Sequence, residues 1–153
     1  MLNKLSLIIS DIQKEINNPT INCGGCVHFA YFLSEKLKRF GYKHNIVAIN
    51  TFSYFIDFEE EKEYLLSYQG GCSHLVIHIP KIGYVDAEAT VKNITSLYSD
   101  NISFQAFTLP ESFDLNKLRH KDIWNDSYNR QYNKKLNQII SKHFKKLKYE
   151  RKN

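Results

Sequence analysis

At 153 residues the chain is long enough for one domain with its own core, and 42% hydrophobic against 24% charged residues is an ordinary soluble composition. No apolar run approaches the roughly 18 residues that a membrane span needs, and the apolar N-terminus reaches Asp11 without the small-residue cleavage site of a signal peptide. The net charge of +5 is confined to one end, because residues 134–153 hold eight Lys or Arg and one acid, and this excludes a uniformly basic surface for nucleic acid.

The first two elements are predicted to be helices. Apolar residues recur at helical spacing over residues 1–17, and Pro19 ends this pattern because proline disfavours helix in the residue before it. A second helix is predicted over residues 26–40, after Gly24-Gly25 and before Gly41, which stands where a helix usually has its C-cap. The two apolar stripes are Leu5, Ile8, Ile9, Ile12 and Ile16, and Cys26, Phe29, Ala30, Leu33, Leu37 and Phe40.

Strands are predicted in the middle of the chain. Residues 45–54 are rich in β-branched and aromatic side chains, which favours a strand. A strand beginning at His74, a turn over residues 80–83 and a return strand over residues 84–89 predict an antiparallel hairpin. Residues 104–109 are a candidate for a further strand.

The remaining segments complete the expected domain. Residues 57–63 are acidic and are expected to be exposed, leading into a short helix or loop. Residues 111–124 look irregular or weakly helical, and apolar positions from Tyr128 to Leu147 predict a final amphipathic helix. With no internal repeat and no linker, residues 1–153 are expected to form one α+β domain.

Cys26 stands where a glycine-rich turn enters the second helix. A thiol attacks as the thiolate, and a helix N-terminus with a nearby imidazolium stabilises that form. The unpaired backbone N–H groups of the first helical turn can also stabilise an oxyanion. The cysteine count is odd, and Cys23 and Cys26 are separated only by two glycines, so free thiols in a reducing, cytoplasmic compartment are expected.

The predicted hairpin contains the residues that could act as the base for this thiol and as the carboxylate that orients the base. His74 and His78 share one face of their predicted strand, and Tyr84, Asp86 and Glu88 share a face of the return strand. With a three-residue turn, His78 lies opposite Tyr84 and His74 opposite Glu88, while Asp86 is the diagonal neighbour of His74. Register alone therefore leaves both Asp86 and Glu88 open as the carboxylate that orients the His74 ring.

This ordered set resembles the transglutaminase-like cysteine enzymes of the papain-like superfamily. The resemblance rests on Gly24-Gly25-Cys26 opening a helix, a strand starting at His74 and then Tyr84-Val85-Asp86, and it covers roughly residues 22–89. It implies a papain-like, transglutaminase-like α+β fold, with N-terminal helices packed on a small antiparallel sheet and a C-terminal amphipathic helix. Leu75 departs from the pattern, because transglutaminases commonly have an aromatic residue just after the histidine.

The resemblance also implies a reaction. Cys26 would be the nucleophile, His74 the general base and acid, and Asp86 the residue that fixes the imidazole tautomer. The reaction would be acyl transfer through a thioester, with hydrolysis of an amide or isopeptide bond in a protein or peptide-like substrate ahead of transfer to an amine. No metal or organic cofactor is required. Asn22 is the nearby amide candidate for the oxyanion site, because no glutamine stands shortly upstream of Cys26.

Three alternatives stay open at the level of sequence. Cys23, Cys26, Cys72 and His74 supply the ligand count of a tetrahedral zinc site. The Cys-x-x-Cys spacing also occurs in redox proteins, although there it directly follows a strand. A non-enzymatic binding protein, such as one encoded by a phage, could use the same fold. The basic residues of the final helix are candidates for contact with nucleic acid or an anionic surface, but its apolar stripe favours packing on the core.

Overall fold

The computed structural model describes residues 2–16, 26–51, 58–68, 74–94, 104–119 and 127–151. Over these ranges the chain forms five helices and five strands, which confirms the α+β class. In chain order the elements are α1 (Leu2–Ile16), α2 (Cys26–Arg39), β1 (Asn45–Thr51), α3 (Phe58–Leu66), β2 (His74–Ile79), β3 (Gly83–Val85), β4 (Thr90–Val91), β5 (Phe104–Thr108), α4 (Leu115–Arg119) and α5 (Ser127–Arg151). None of the helices in these ranges combines the length and the apolar character that crossing a bilayer requires.

The strands form one antiparallel sheet in the order β4-β3-β2-β1-β5. The hairpin of β2 and β3 pairs Ile79 with Gly83 and His78 with Tyr84, which is the register expected for a three-residue turn. On the other side of β2, His74 pairs with Ile49 of β1. The backbone at His74 is therefore held by a neighbouring strand.

The helices cover one face of this sheet. Successive strand residues point to opposite faces, so Leu75 and Ile77 lie in the main core while Val76 lies in a smaller cluster on the other side. Helix α2 packs against β2, and α5 packs against both α1 and α2. The predicted apolar positions of α1 and α2 are all buried in the main core, which confirms both stripes.

The C-terminus of α2 is closed by the predicted glycine. Gly41 has φ +77°, a conformation that glycine adopts without steric cost. The N–H of Gly41 donates to the carbonyl of Lys38 at 3.0 Å, and the N–H of Tyr42 donates to that of Leu37 at 2.9 Å. These two bonds are a Schellman motif, which satisfies carbonyls that the end of a helix would otherwise leave unpaired.

Helix α1 is tied to α5 by charged side chains. Lys142 and His143 of α5 both bind the carboxylate of Glu15. One turn along α5, the Lys146 Nζ lies 3.6 Å from the Asp11 Oδ2. Together with the buried apolar stripe, these contacts fix the rotation of α1 about its axis.

The return strand of the hairpin is shorter than predicted. β3 ends at Val85, whereas the sequence predicted a strand over residues 84–89. The chain turns at Asp86, because its backbone N–H donates to the carbonyl of Ala89 at 3.0 Å and its own carboxylate accepts two local N–H groups. An aspartate that binds the backbone just after it in this way competes with the strand ladder and starts a turn.

The other predicted boundaries are close to those observed. β1 ends at Thr51, and the last predicted residues of that strand, 52–54, lie outside the described residues. Residues 111–124, expected to be irregular or weakly helical, contain the short helix α4. The side chain of Asp114 caps that helix by accepting the N–H of Asn116 at 3.0 Å.

Candidate active site

Three neighbouring elements bring the predicted site residues together. Cys26 is the first residue of α2, His74 is the first residue of β2, and Asp86 follows directly after β3. Because α2 packs on β2 and β2 pairs with β3, these positions meet at one edge of the main core. All three residues are buried, with exposed fractions of 6%, 7% and 5% in chain order.

The imidazole of His74 contacts both other groups. Its Nε2 lies 3.0 Å from the Oδ2 of Asp86, with both side chains shielded from solvent. The Cys26 side chain lies close enough to the same ring to raise the pKa of His74 through hydrogen bonding and charge. Since Nε2 is used by the carboxylate, Nδ1 is the ring nitrogen left for the sulfur. The imidazole therefore interacts with both the thiol and the carboxylate.

The Asp86 carboxylate is held on its second oxygen as well. Oδ1 accepts the backbone N–H groups of Glu88 and Ala89, each at 2.8 Å. With Oδ1 occupied by the turn and Oδ2 by His74, neither oxygen is free to rotate away. A carboxylate held in this way fixes the orientation and the tautomer of its histidine.

Glu88 is not the partner of His74. Its side chain is exposed, and only its backbone N–H contributes, by donating to Asp86. The prediction that His74 lies opposite Glu88 required the strand to continue, and the strand ends three residues earlier. The turn places Asp86 at the imidazole instead.

These contacts shift the pKa values of the buried His74 and Asp86. Burial is the largest influence on the pKa of His74 and lowers it, but hydrogen bonds with Asp86 and Cys26, and the charges of both, raise the pKa from 6.5 to about 9. Burial likewise raises the pKa of Asp86, but hydrogen bonds from His74 and from the N–H groups of Ala89 and Glu88 outweigh it and lower the pKa. At neutral pH the pair is an imidazolium bonded to a carboxylate.

One residue at the site is absent from the sequence-based prediction. The side-chain amide of Gln13, on α1, donates to the backbone carbonyl of Asp86 at 2.9 Å and to the Thr90 Oγ1 at 3.1 Å. The only sequence signal is that Gln13 is a polar residue bordering the apolar stripe of α1. Such a position is common on amphipathic helices, so the pattern did not single it out.

Several predicted residues lie outside the described ranges. These are Asn22, proposed for the oxyanion site, and Cys23 and Cys72 of the alternative zinc set. Within the described part of the chain, no group of three or more His, Cys, Asp or Glu side chains is arranged to hold a metal ion. The zinc alternative, which needs the two outlying cysteines, stays a prediction.

A second feature, a groove of about 400 Å³, lies away from Cys26 and is lined by the later turns of α2, the start of β1 and residues 109–115. Within it Ser34 and His44 form a 2.7 Å hydrogen bond. The His44 Nδ1 bonds the Tyr42 carbonyl at 2.9 Å, so Nε2 accepts from the hydroxyl. The His44 ring has a carbonyl rather than a carboxylate behind it, and its hydrogen bond with the buried Ser34 joins α2 to the residue before β1.

Comparison with known proteins adds no assignment. No protein-family model matches the chain, and neither the curated proteins nor the solved structures contain a significant match. The function is therefore inferred from the geometry of the site.

Proposed function

We propose that this protein catalyses cysteine-dependent acyl transfer, with hydrolysis of an amide or isopeptide bond as the principal reaction, on a papain-like, transglutaminase-like fold. The observation that carries the proposal is the chain of contacts from Cys26 through His74 to Asp86. These residues are 48 and 12 positions apart in sequence. Packing in the core alone does not require a thiol, an imidazole and a carboxylate in this order.

The charge state of the site supports a nucleophilic sulfur. An imidazolium with a pKa of about 9 stands beside the Cys26 thiol at neutral pH. Cys26 also opens α2, a helix of 14 residues, whose N-terminal end carries partial positive charge. Both influences stabilise a thiolate, which is the form that attacks a carbonyl carbon.

In the first half-reaction the Cys26 thiolate attacks the carbonyl carbon of the substrate and forms a carbon–sulfur bond. The carbon–nitrogen bond of the amide then breaks, and the His74 imidazolium donates its proton to the departing amine. In the second half-reaction neutral His74 takes a proton from water, and the hydroxide formed attacks the thioester. The carbon–sulfur bond breaks, which regenerates the thiolate and the imidazolium. An amine in place of water gives the transfer product.

The start of α2 also supports stabilisation of the tetrahedral intermediate. The backbone N–H groups at the start of a helix have no partner within the helix. At Cys26 they lie next to the attacking sulfur, where negative charge develops on the substrate oxygen. We assign this role to the Cys26 backbone N–H. Burial of the site strengthens such a bond, because little water competes for it.

The proposal is tested with p-nitrophenyl acetate as acyl donor and iodoacetamide as alkylating agent. The wild-type protein should form an acetyl-thioester on Cys26, visible as one added acetyl group by intact-mass spectrometry. It should also be alkylated at Cys26 near pH 6 faster than a free thiol, because the neighbouring imidazolium and the helix N-terminus activate the sulfur. Cys26→Ser should lose both reactions.

A variant in which Cys23 and Cys72 are both replaced by serine is the matched control, because it leaves Cys26 as the one thiol. Retention of both reactions by this variant supports the acyl-transfer proposal and removes any role for a zinc site. If Cys26 of the folded protein is neither acylated nor alkylated faster than a free thiol, the proposal is wrong. Loss of reactivity in the control variant also contradicts it, since the thiols would then act as a set.

A further inference from the structure

The N-terminal helix α1 contacts the Asp86 turn of the site through the side chain of Gln13. Gln13 of α1 donates one N–H of its amide to the carbonyl of Asp86 and the other to the hydroxyl of Thr90. From the geometry we infer that Gln13 is a positioning residue, which holds the Asp86 turn so that the Asp86 carboxylate meets the His74 ring. The inference rests on the proposed function, and it places a required group on α1, outside the part of the chain that resembles known cysteine enzymes.

The two bonds span the whole turn. Asp86 is its first residue, and Thr90 is the first residue of β4, where strand pairing resumes. Within the turn, the Asp86 carboxylate accepts the N–H groups of Glu88 and Ala89, but these bonds move with it. Gln13 is the donor that ties both ends of the turn to another element. Its amide supplies the two N–H groups that two acceptors need.

Gln13 stands on a part of α1 that is itself held by neighbouring elements. Asp11 and Glu15, on either side of Gln13 along α1, contact basic groups of α5. The apolar side chains Ile9, Ile12 and Ile16, which neighbour Gln13 on α1, are buried in the main core. These contacts restrict rotation of α1 about its axis and its movement along that axis. The position of Gln13 relative to the sheet, and with it that of the Asp86 carbonyl, is restricted in the same way.

The expected consequence of removing Gln13 is a looser Asp86 carboxylate. The imidazolium of His74 is stabilised by that carboxylate at 3.0 Å, and the stabilisation weakens as the two separate. Loss of both amide bonds should lower the pKa of His74 by roughly one unit. It should also slow acylation of Cys26 by roughly tenfold to a hundredfold, because small displacements of a catalytic group are costly.

The test compares Gln13→Met, which keeps the unbranched side chain but has no N–H, with Lys14→Met on the same helix. Lys14 is exposed, so its replacement is a matched control for the change of residue type. Three quantities are measured on the full chain: the His74 ring pKa by NMR titration, the rate of acylation by p-nitrophenyl acetate against pH, and the melting temperature. Gln13→Asn, one methylene too short to reach both acceptors, is a second variant in case Gln13→Met does not fold.

Gln13→Met or Gln13→Asn should lower the His74 pKa and the acylation rate, while Lys14→Met leaves both unchanged. A variant at position 13 that lowers only the melting temperature, with the His74 pKa at its wild-type value, overturns the inference, since Gln13 would then serve stability alone. If wild-type Cys26 is not acylated but the variants still lower the His74 pKa, the acyl-transfer proposal fails while the positioning of Asp86 by Gln13 stands.

Discussion

Replacing Asp86 by asparagine changes one atom of the site. The aspartate accepts two backbone N–H groups on Oδ1 and binds the His74 Nε2 through Oδ2. Asparagine has one oxygen and one NH₂ group, and the oxygen is needed by the two N–H groups of the turn. The NH₂ group therefore faces Nε2, which must be unprotonated to accept it. Neutral His74 then carries its proton on Nδ1, towards Cys26, and cannot take the proton of the thiol.

The size of the effect follows from the His74 titration. A rise from 6.5 to about 9 corresponds to roughly 3 kcal/mol in favour of the imidazolium. Burial opposes this rise, so loss of the carboxylate leaves the Cys26 contact to balance burial by itself. We expect the pKa of His74 in Asp86→Asn to fall by roughly two units. The wrong tautomer should reduce acylation of Cys26 by roughly 10³- to 10⁴-fold.

The loss of folding stability caused by Asp86→Asn should depend on pH. The folded-state pKa of His74 is raised. The contribution of His74 to the free energy of unfolding is therefore complete below about pH 6.5 and is lost as the pH rises through about 9. The pKa of Asp86 is lowered, so its contribution is present above the unfolded value of 3.8 and is lost as the pH falls through the folded value. The stability gap between wild type and Asp86→Asn should therefore be widest at roughly pH 4–6.5.

The assay combines an NMR titration of the His74 ring, urea denaturation at several pH values, and the rate of acylation by p-nitrophenyl acetate. Asp86→Glu is a useful companion, because it keeps the charge while lengthening the side chain. A His74 pKa that stays near 9 in Asp86→Asn would refute the assignment of the raised pKa to the carboxylate. It would show that the contact with Cys26 keeps the ring protonated instead.

Two further predictions concern the scaffold. Gly83→Ala should destabilise the protein by roughly 2–4 kcal/mol in urea denaturation, because Gly83 has φ +131° and an added Cβ would lie 2.4 Å from a backbone oxygen of β4. Gly41→Ala is the comparison, with φ +77° and no atom within 4 Å of the added Cβ, and should cost only about 1 kcal/mol; equal losses would contradict this explanation. Hydrogen bonds from Lys142 and His143 lower the pKa of Glu15, so its stabilising contribution is present above 4.5 and is lost as the pH falls through the folded-state pKa. Glu15→Gln should therefore be less stable than wild type at pH 7 and converge with it in acid, and a gap that persists unchanged in acid would show that Glu15 acts through packing instead.

The local structure of this protein could be predicted from residues that are close in sequence. Apolar spacing identified α1 and α2, Gly41 identified the end of α2, and the hairpin of β2 and β3 was predicted with His78 opposite Tyr84 for a three-residue turn. Periodicity and turn chemistry act over a few residues, so a single sequence displays them directly. The order of Cys26, His74 and Asp86 along the chain was visible for the same reason, as a set of residue types on predicted elements.

Which side chains meet was decided by the tertiary structure. The choice of Asp86 over Glu88 depends on β3 ending at Val85, and that end is set by the competition between strand pairing and a turn built on the aspartate itself. The role of Gln13 depends on how α1 rotates against the sheet, which its contacts with α5 decide. The contacts of α1 with the Asp86 turn and with α5 join residues about 70 to 130 positions apart, and their energies depend on packed geometry, which no local pattern encodes.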